Sequence, residues 1–148
     1  MFTSHMELAL DQARRAAARG EAPIGAVLSA PDGSVLASAG NRVRELHDPT
    51  AHAEILVIRD AARVIGSERL MGCGLTVTLE PCAMCAGAIS LARIGRLWYG
   101  ASDPKGGAVA HGARVFSHPT CHHRPDIYGG IRETACAALL TDFFRERR

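Results

Sequence analysis

Aromatic side chains are scarce in this chain, with one Trp, two Tyr and four Phe among 148 residues. A core of large rings is therefore excluded, and packing falls to alanine and the aliphatic residues. The hydrophobic fraction of 47% is enough for such a core, which excludes wholesale disorder. A strong field of one sign is also lacking, since the formal net charge is +2. Attraction to a polyanion would have to come from a local patch. The densest patch is Arg145-Glu146-Arg147-Arg148 at the end, which reads equally well as a solvated helix terminus whose cations suit the helix dipole. The N-terminus lacks the basic start and apolar run of an export signal, and no apolar run is long enough to span a bilayer. No membrane partner is expected, and a reducing cytoplasm is the expected location. The five cysteines then serve as metal ligands, catalytic groups or core filler rather than as disulfides. With no internal repeat, low-complexity tract or linker, residues 1–148 read as one domain.

What is present alternates between helix and strand. Ser4-x-x-Glu7 reads as a capping box for a first helix whose face is Leu8, Ala9, Ala13, Ala16 and Ala17, ended by Gly20. Pro23–Leu28 and a segment from Val35 read as a hairpin around the turn Pro31-Asp32-Gly33. After Asp48-Pro49-Thr50, the residues Ile55, Ile58, Ala62 and Ile65 recur at helical spacing, and Gly66 stops that helix. Leu75–Leu79 is a strand, Glu80-Pro81 opens a helix to about Ala92, and Leu97-Trp98-Tyr99 is a fourth strand. The stretch from Ala101 to Arg124 is irregular. Asp126-Ile127-Tyr128 reads as a short fifth strand, and Cys136, Leu139, Leu140 and Phe143 form the buried stripe of the last helix. This order predicts an α/β domain with helices on both faces of a mixed sheet.

The chemistry concentrates at two predicted helix starts, His52-Ala53-Glu54 and Pro81-Cys82-Ala83-Met84-Cys85. Cysteines three apart share a helix face, and the free N–H groups of a first turn favour anionic sulfur. Two thiolates leave a tetrahedral zinc incomplete, and His52 is the best third ligand. Three protein ligands leave one position open, which marks catalytic zinc, and the metal lowers the pKa of water there to about 7. Glu54 lies about 200° around a regular helix from His52, so it is not expected as a fourth ligand. If both residues project past the helix end, its carboxylate can move protons between water and substrate.

Plainer readings stand beside this one. A lone CxxC also suits a thioredoxin-like redox pair, but the His-x-Glu upstream argues against that. A structural zinc ribbon wants a second CxxC, and none exists. Cys136 sits on an apolar stripe and reads as core filler. The run Ser117-His118-Pro119-Thr120-Cys121-His122-His123 invites a second metal site, yet reads better as a polar loop.

HAE followed by PCAMC resembles the H-x-E…P-C-x-x-C signature of the zinc nucleobase deaminases. Longer matches resemble the bacterial tRNA-specific adenosine deaminases: Asn41-Arg42, Asp48 through Glu54, Thr78 through Ala88, Gly100 through Lys105, and Asp142-Phe143-Phe144. The resemblance implies a three-layer α/β/α sandwich of the cytidine deaminase kind around a five-stranded mixed sheet, assembled as a homodimer. It implies deamination of adenosine to inosine at the wobble position of a tRNA anticodon. One zinc would be held by His52, Cys82 and Cys85, with Glu54 as general acid/base and the Leu79–Cys82 turn giving a backbone contact to the reacting oxygen. Asn41, Ala53 and Asp103 would contact the substrate nucleotide, while Lys105, Phe144, Arg147 and Arg148 would face the RNA. The chain departs from the pattern at His122-His123-Arg124, where many relatives carry Asn-His-Arg, and in much of the Val109–Cys121 loop. Anticodon loops splay their bases, so a local basic rim of Lys105, Arg124, Arg147 and Arg148 suffices for binding, and DNA is not an expected partner. Two other readings compete: deamination of free bases or nucleosides such as guanine or cytosine, and a zinc-stabilised RNA-binding module without catalysis, for which Glu54 would have no use.

Overall fold

The computed structural model describes residues 4–147; Arg148 lies outside them. The elements are α1 (Met6–Ala18), β1 (Gly25–Ser29), β2 (Val35–Gly40), α2 (Ala53–Ile65), β3 (Gly74–Leu79), α3 (Ala83–Ala92), β4 (Arg96–Ala101), β5 (Asp126–Tyr128) and α4 (Glu133–Glu146). The strands form one sheet in the order β2-β1-β3-β4-β5. β1 is antiparallel to both β2 and β3, whereas β3, β4 and β5 are mutually parallel. This is the expected five-stranded mixed sheet.

Side chains of the central strands alternate between two cores, which makes the molecule three layers. Ala26, Leu28, Leu75, Val77 and Leu97 pack with Ala53, Val57 and Ala61 of α2 and Ala86 and Ile89 of α3. Val27 points the other way, into a smaller cluster with Met6, Ala9 and Leu10 of α1 and Cys136 of α4. The helices thus cover the sheet in pairs, α2 with α3 and α1 with α4. No helix of the described residues is long and apolar enough to cross a membrane.

The alanine-rich first helix has a specific floor. Gly25 and Gly40 pair across β1 and β2. A Cβ on Gly25 would collide with the Ala9 carbonyl and fall 2.6 Å from Ala13 N, and one on Gly40 would fall 2.9 Å from Ala16 Cβ. Glycine below and alanine above let helix and sheet approach closely, so packing density replaces aromatic bulk.

Several local expectations are corrected. The N-cap of α1 is His5, not Ser4, and no side chain caps that end. Tertiary bonds replace the capping box: the His5 N–H donates to Thr76 Oγ1 at 3.2 Å, and its Nε2 meets the Gly33 carbonyl at 2.9 Å. In α1, Leu8 and Ala17 flank the buried line, which Met6 and Leu10 complete. In α2 the buried line is Ala53, Glu54, Val57 and Ala61, while Ile55, Ile58 and Ala62 are half-buried and Ile65 is 43% exposed. Both stripes have helical spacing, and the smaller side chains allow the closer approach to the sheet. In α4, Cys136 and Phe143 are buried but Leu139 and Leu140 only partly, because this helix packs chiefly along β4.

Replacing Gly25 by Ala is expected to destabilise the protein by about 1–3 kcal/mol, the usual cost of overpacking. Urea unfolding monitored by circular dichroism measures it through the shift in midpoint.

Candidate metal centre and active site

Strand direction places the site. β2 and β3 both oppose β1 and so run the same way, and β4 runs with them. The carboxyl ends of three strands therefore open on one edge of the sheet, where ligands bind in open α/β sheets. The segments that leave them carry Asn41, Cys82 and Asp103. α2 returns to this edge through a tightly bonded loop. Asp48 Oδ1 accepts from Thr50 N–H at 2.9 Å and Thr50 Oγ1–H at 2.7 Å, and Arg42 N–H donates to the Ala51 carbonyl at 3.0 Å.

His52 and Cys82 are N-cap residues with extended backbones (φ −70°, ψ 151° and φ −73°, ψ 176°). Cys85 follows in the first turn of α3. The three donor atoms all lie within 4.8 Å of one another, and among the described residues they form the one His/Cys/Asp/Glu group able to share a metal ion. His52 Nδ1 is 3.6 Å from Cys82 Sγ and 3.5 Å from Cys85 Sγ. Zinc bonds of about 2.3 Å to sulfur and about 2.0–2.1 Å to nitrogen at a tetrahedral angle put those atoms about 3.6 Å apart. The donor set fits zinc, and it supplies three of the four positions of a tetrahedron.

The extended N-cap also resolves the position of Glu54. Because His52 is outside the helix, the 200° rotation of a regular helix does not separate the two residues. Glu54 sits beside the same cluster, where His52, Cys82 and Cys85 all act on its carboxyl. Only 4% of the residue is exposed. Burial pushes its pKa from the ordinary 4.5 up to about 7, a value suited to taking and giving a proton near neutrality. Hydrogen bonds from Cys85 and then His52 pull the Cys82 thiol down to about 4. Cys85 is pushed up as the thiol that donates to Cys82, with burial adding to the shift. His52 is raised, chiefly by its bond to Cys82. The cluster is a proton-sharing set that a divalent cation would displace into two thiolates and a neutral imidazole.

The structure separates the other predicted residues into two groups. Asn41 is buried, and its Oδ1 accepts the Ala53 N–H at 2.8 Å, the first helical amide of α2. It thereby fixes the chain between His52 and Glu54. Asn41 also lines a groove of about 390 Å³ with Glu21, Val43, Arg44, Phe143, Phe144 and Arg147. There the Phe144 ring is 53% exposed and meets Phe143 edge-on at 5.2 Å, while the Arg147 guanidinium stacks 3.6 Å over the Phe143 ring. Asp103 and Lys105 belong to the loop after β4. Asp103 Oδ1 accepts the N–H groups of Lys105 at 3.2 Å and Gly106 at 3.0 Å, and Lys105 is exposed. The His118–His123 run is a loop: His118 Nε2 meets the Ala113 carbonyl at 2.6 Å, and His123 Nε2 meets the Ile94 carbonyl at 2.8 Å.

Two buried carboxylates escaped the sequence reading. Glu21 accepts the N–H groups of Arg44 at 3.2 Å and Glu45 at 2.8 Å, holding the segment after Asn41. Glu80 accepts from Asp103, Val109, Ala110 and His111. Burial works to raise its pKa, but the N–H of Asp103, the His111 ring and further backbone amides outweigh it and hold the carboxyl below its ordinary value. A charge at a strand end just before Pro81 was the available signal, but its partners lie 23 to 31 residues away.

Such a sandwich, with one nitrogen and two sulfurs beside a buried carboxyl at its strand ends, defines a zinc-dependent deaminase domain. Residues 2–101 match the family described as the cytidine and deoxycytidylate deaminase zinc-binding region. Within that class, the chain belongs to the family of tRNA-specific adenosine deaminases. It is 63% identical to the tRNA-specific adenosine deaminase of Agrobacterium fabrum over 146 residues, spanning 99% of this chain and 95% of that protein. It is 44% identical to the enzyme of the same description from Rickettsia typhi, over 97% of each chain. A solved structure from a study of A-to-I editing by tRNA:A34 deaminases at the wobble position superimposes with a TM-score of 0.89 at 64% identity. That match covers 91% of this chain and 97% of the other.

Replacing Cys82 by Ala is expected to lower the bound zinc and the thermal stability together, because metal affinity is folding free energy at such sites. Elemental analysis of metal per protein, beside the unfolding midpoint, checks both.

Proposed function

We infer that this protein hydrolyses adenosine to inosine at the wobble position of a tRNA anticodon, releasing ammonia. The observation that carries the chemistry is a buried Glu54 carboxyl beside a three-donor set of zinc dimensions. The polynucleotide substrate follows from the family, whose 63% identical member spans the chain.

We assign His52 Nδ1, Cys82 and Cys85 as the zinc ligands. Bound there, zinc supplies a Lewis acid that makes water a nucleophile at neutral pH. Glu54 is the proton carrier: it takes the first proton of the attacking water to the ring nitrogen beside C6, then takes the second, from the hydroxyl now on C6, to the departing amine. Asn41 keeps Glu54 aimed by holding the Ala53 amide. An adenine inside a stack hides C6, so the base must be splayed out, as anticodon loops allow. The groove between Asn41 and α4 offers Phe144 as a stacking face and Arg147 as a cation for the neighbouring nucleotides, and Asp103 and Lys105 stand on the other side of the site. Arg148, outside the described residues, adds a further cation to this end of the sequence. We further assign the whole chain as one catalytic domain acting in the cytoplasm as a homodimer. Exposed Met84 and Leu91 of α3 and Val64 of α2 support that association.

Glu54→Gln is expected to retain zinc while losing about 10²- to 10⁴-fold in deamination rate. Incubation with an anticodon stem-loop bearing adenosine, followed by nucleoside analysis for inosine, measures it. Ammonia released only from free guanine or cytosine by the wild-type protein would overturn the RNA assignment. Removing residues 145–148 is expected to weaken stem-loop binding and flatten its dependence on salt, because fewer counterions are released. An unchanged salt slope would reduce the tail to a solvated helix end.

A further inference from the structure

The loop between β4 and the short 3₁₀ turn at Val115–Ser117 has no regular structure, yet most of its amides find an acceptor. Glu80 is the main acceptor. Its side chain is fully buried. Oε1 receives the Asp103 N–H at 3.0 Å and His111 Nδ1 at 2.8 Å. Oε2 receives the N–H groups of Val109 at 3.1 Å, Ala110 at 3.0 Å and His111 at 3.1 Å. Five donors saturate a carboxylate, which has about four lone-pair sites. The loop is also tied to the turn that carries Cys82, since Ala108 N–H donates to the Pro81 carbonyl at 2.8 Å. The approach is close enough to require glycine, because a Cβ on Gly107 would fall 2.5 Å from both the Asp103 carbonyl oxygen and Glu80 Cδ.

Oε1 thus clamps the two ends of one loop. At one end is Asp103, whose own Oδ1 orders Lys105 and Gly106; at the other is the His111 ring, the one side chain among the five donors. We propose that His111, acting through Glu80, is a positioning residue that sets the 103–111 loop for polynucleotide binding rather than for the chemical step. The proposal rests on the RNA substrate proposed above. With Glu80 ionised, Nδ1 carries the proton and donates. Removing that donor leaves Oε1 with one partner and loosens the Asp103 end, while His52, Cys82, Cys85 and Glu54 stay in place. His111 is a surface-reaching side chain, 36% exposed, so its replacement spares the core.

The test compares the zinc-loaded wild type, His111→Ala and His111→Asn in steady-state deamination of an anticodon stem-loop bearing adenosine, with zinc content measured for each. His111→Ala is expected to raise KM about tenfold, the scale of one hydrogen bond to a charged group, with kcat within about twofold and zinc unchanged. His111→Asn places an amide N–H where Nδ1–H stood, and is expected to restore KM to within about twofold of wild type. An unchanged KM in His111→Ala, equal defects in the two variants, or a loss confined to kcat or to zinc content would overturn the proposal while leaving the deaminase assignment standing. A wild type inert on the stem-loop would overturn both.

Discussion

The imidazole of His52 and the thiols of Cys82 and Cys85 can share one ion only if the N-termini of α2 and α3 face the same point. They do so because β2 and β3 run in the same direction on either side of β1. The antiparallel hairpin at the start of the chain is therefore part of the site's construction. A β1 antiparallel to one neighbour and parallel to the other would leave one of the two helix starts at the wrong edge of the sheet. Helix N-termini also suit the ligands chemically, since unpaired N–H groups and the dipole favour anionic sulfur.

The same geometry solves a problem that a regular helix could not. Two residues apart on a helix, His52 and Glu54 would point in nearly opposite directions. The extended N-cap frees His52 from that rule and lets Glu54, within the first turn, share the cluster with it. Burial then raises the Glu54 carboxyl to about 7. An exposed carboxylate in the same place would hold its proton too weakly to deliver it to a ring nitrogen at neutral pH.

Around this centre, two further buried carboxylates hold the backbone. Glu21 and Glu80 each accept backbone amides from an irregular segment that borders the site. Both segments lack helix or strand partners, and an unpaired buried amide is costly, so a charged acceptor inside the protein is a compact remedy. Glu80 stays ionised because its donors outweigh burial, whereas burial dominates at Glu54. Two glutamates near one edge of the sheet are thus driven in opposite directions, Glu80 by its donors and Glu54 by burial.

The spacing of Cys82 and Cys85, the His52-Ala53-Glu54 triplet and the helix and strand order were legible in the sequence because local periodicity and metal-ligand chemistry are short-range properties. So was the mixed sheet, from the hairpin followed by alternating helices and strands. The capping of α1 and the buried face of α2 were not. His5 bonds to residues 28 and 71 positions away, and two stripes of equal spacing compete on α2 until the sheet selects the smaller side chains. Asn41 as the anchor of Ala53, Nδ1 as the imidazole nitrogen beside the two sulfurs, and the Glu80–His111 clamp were decided by tertiary structure alone. Each depends on which distant segment the fold brings within hydrogen-bond reach, and no pattern along the chain encodes that distance.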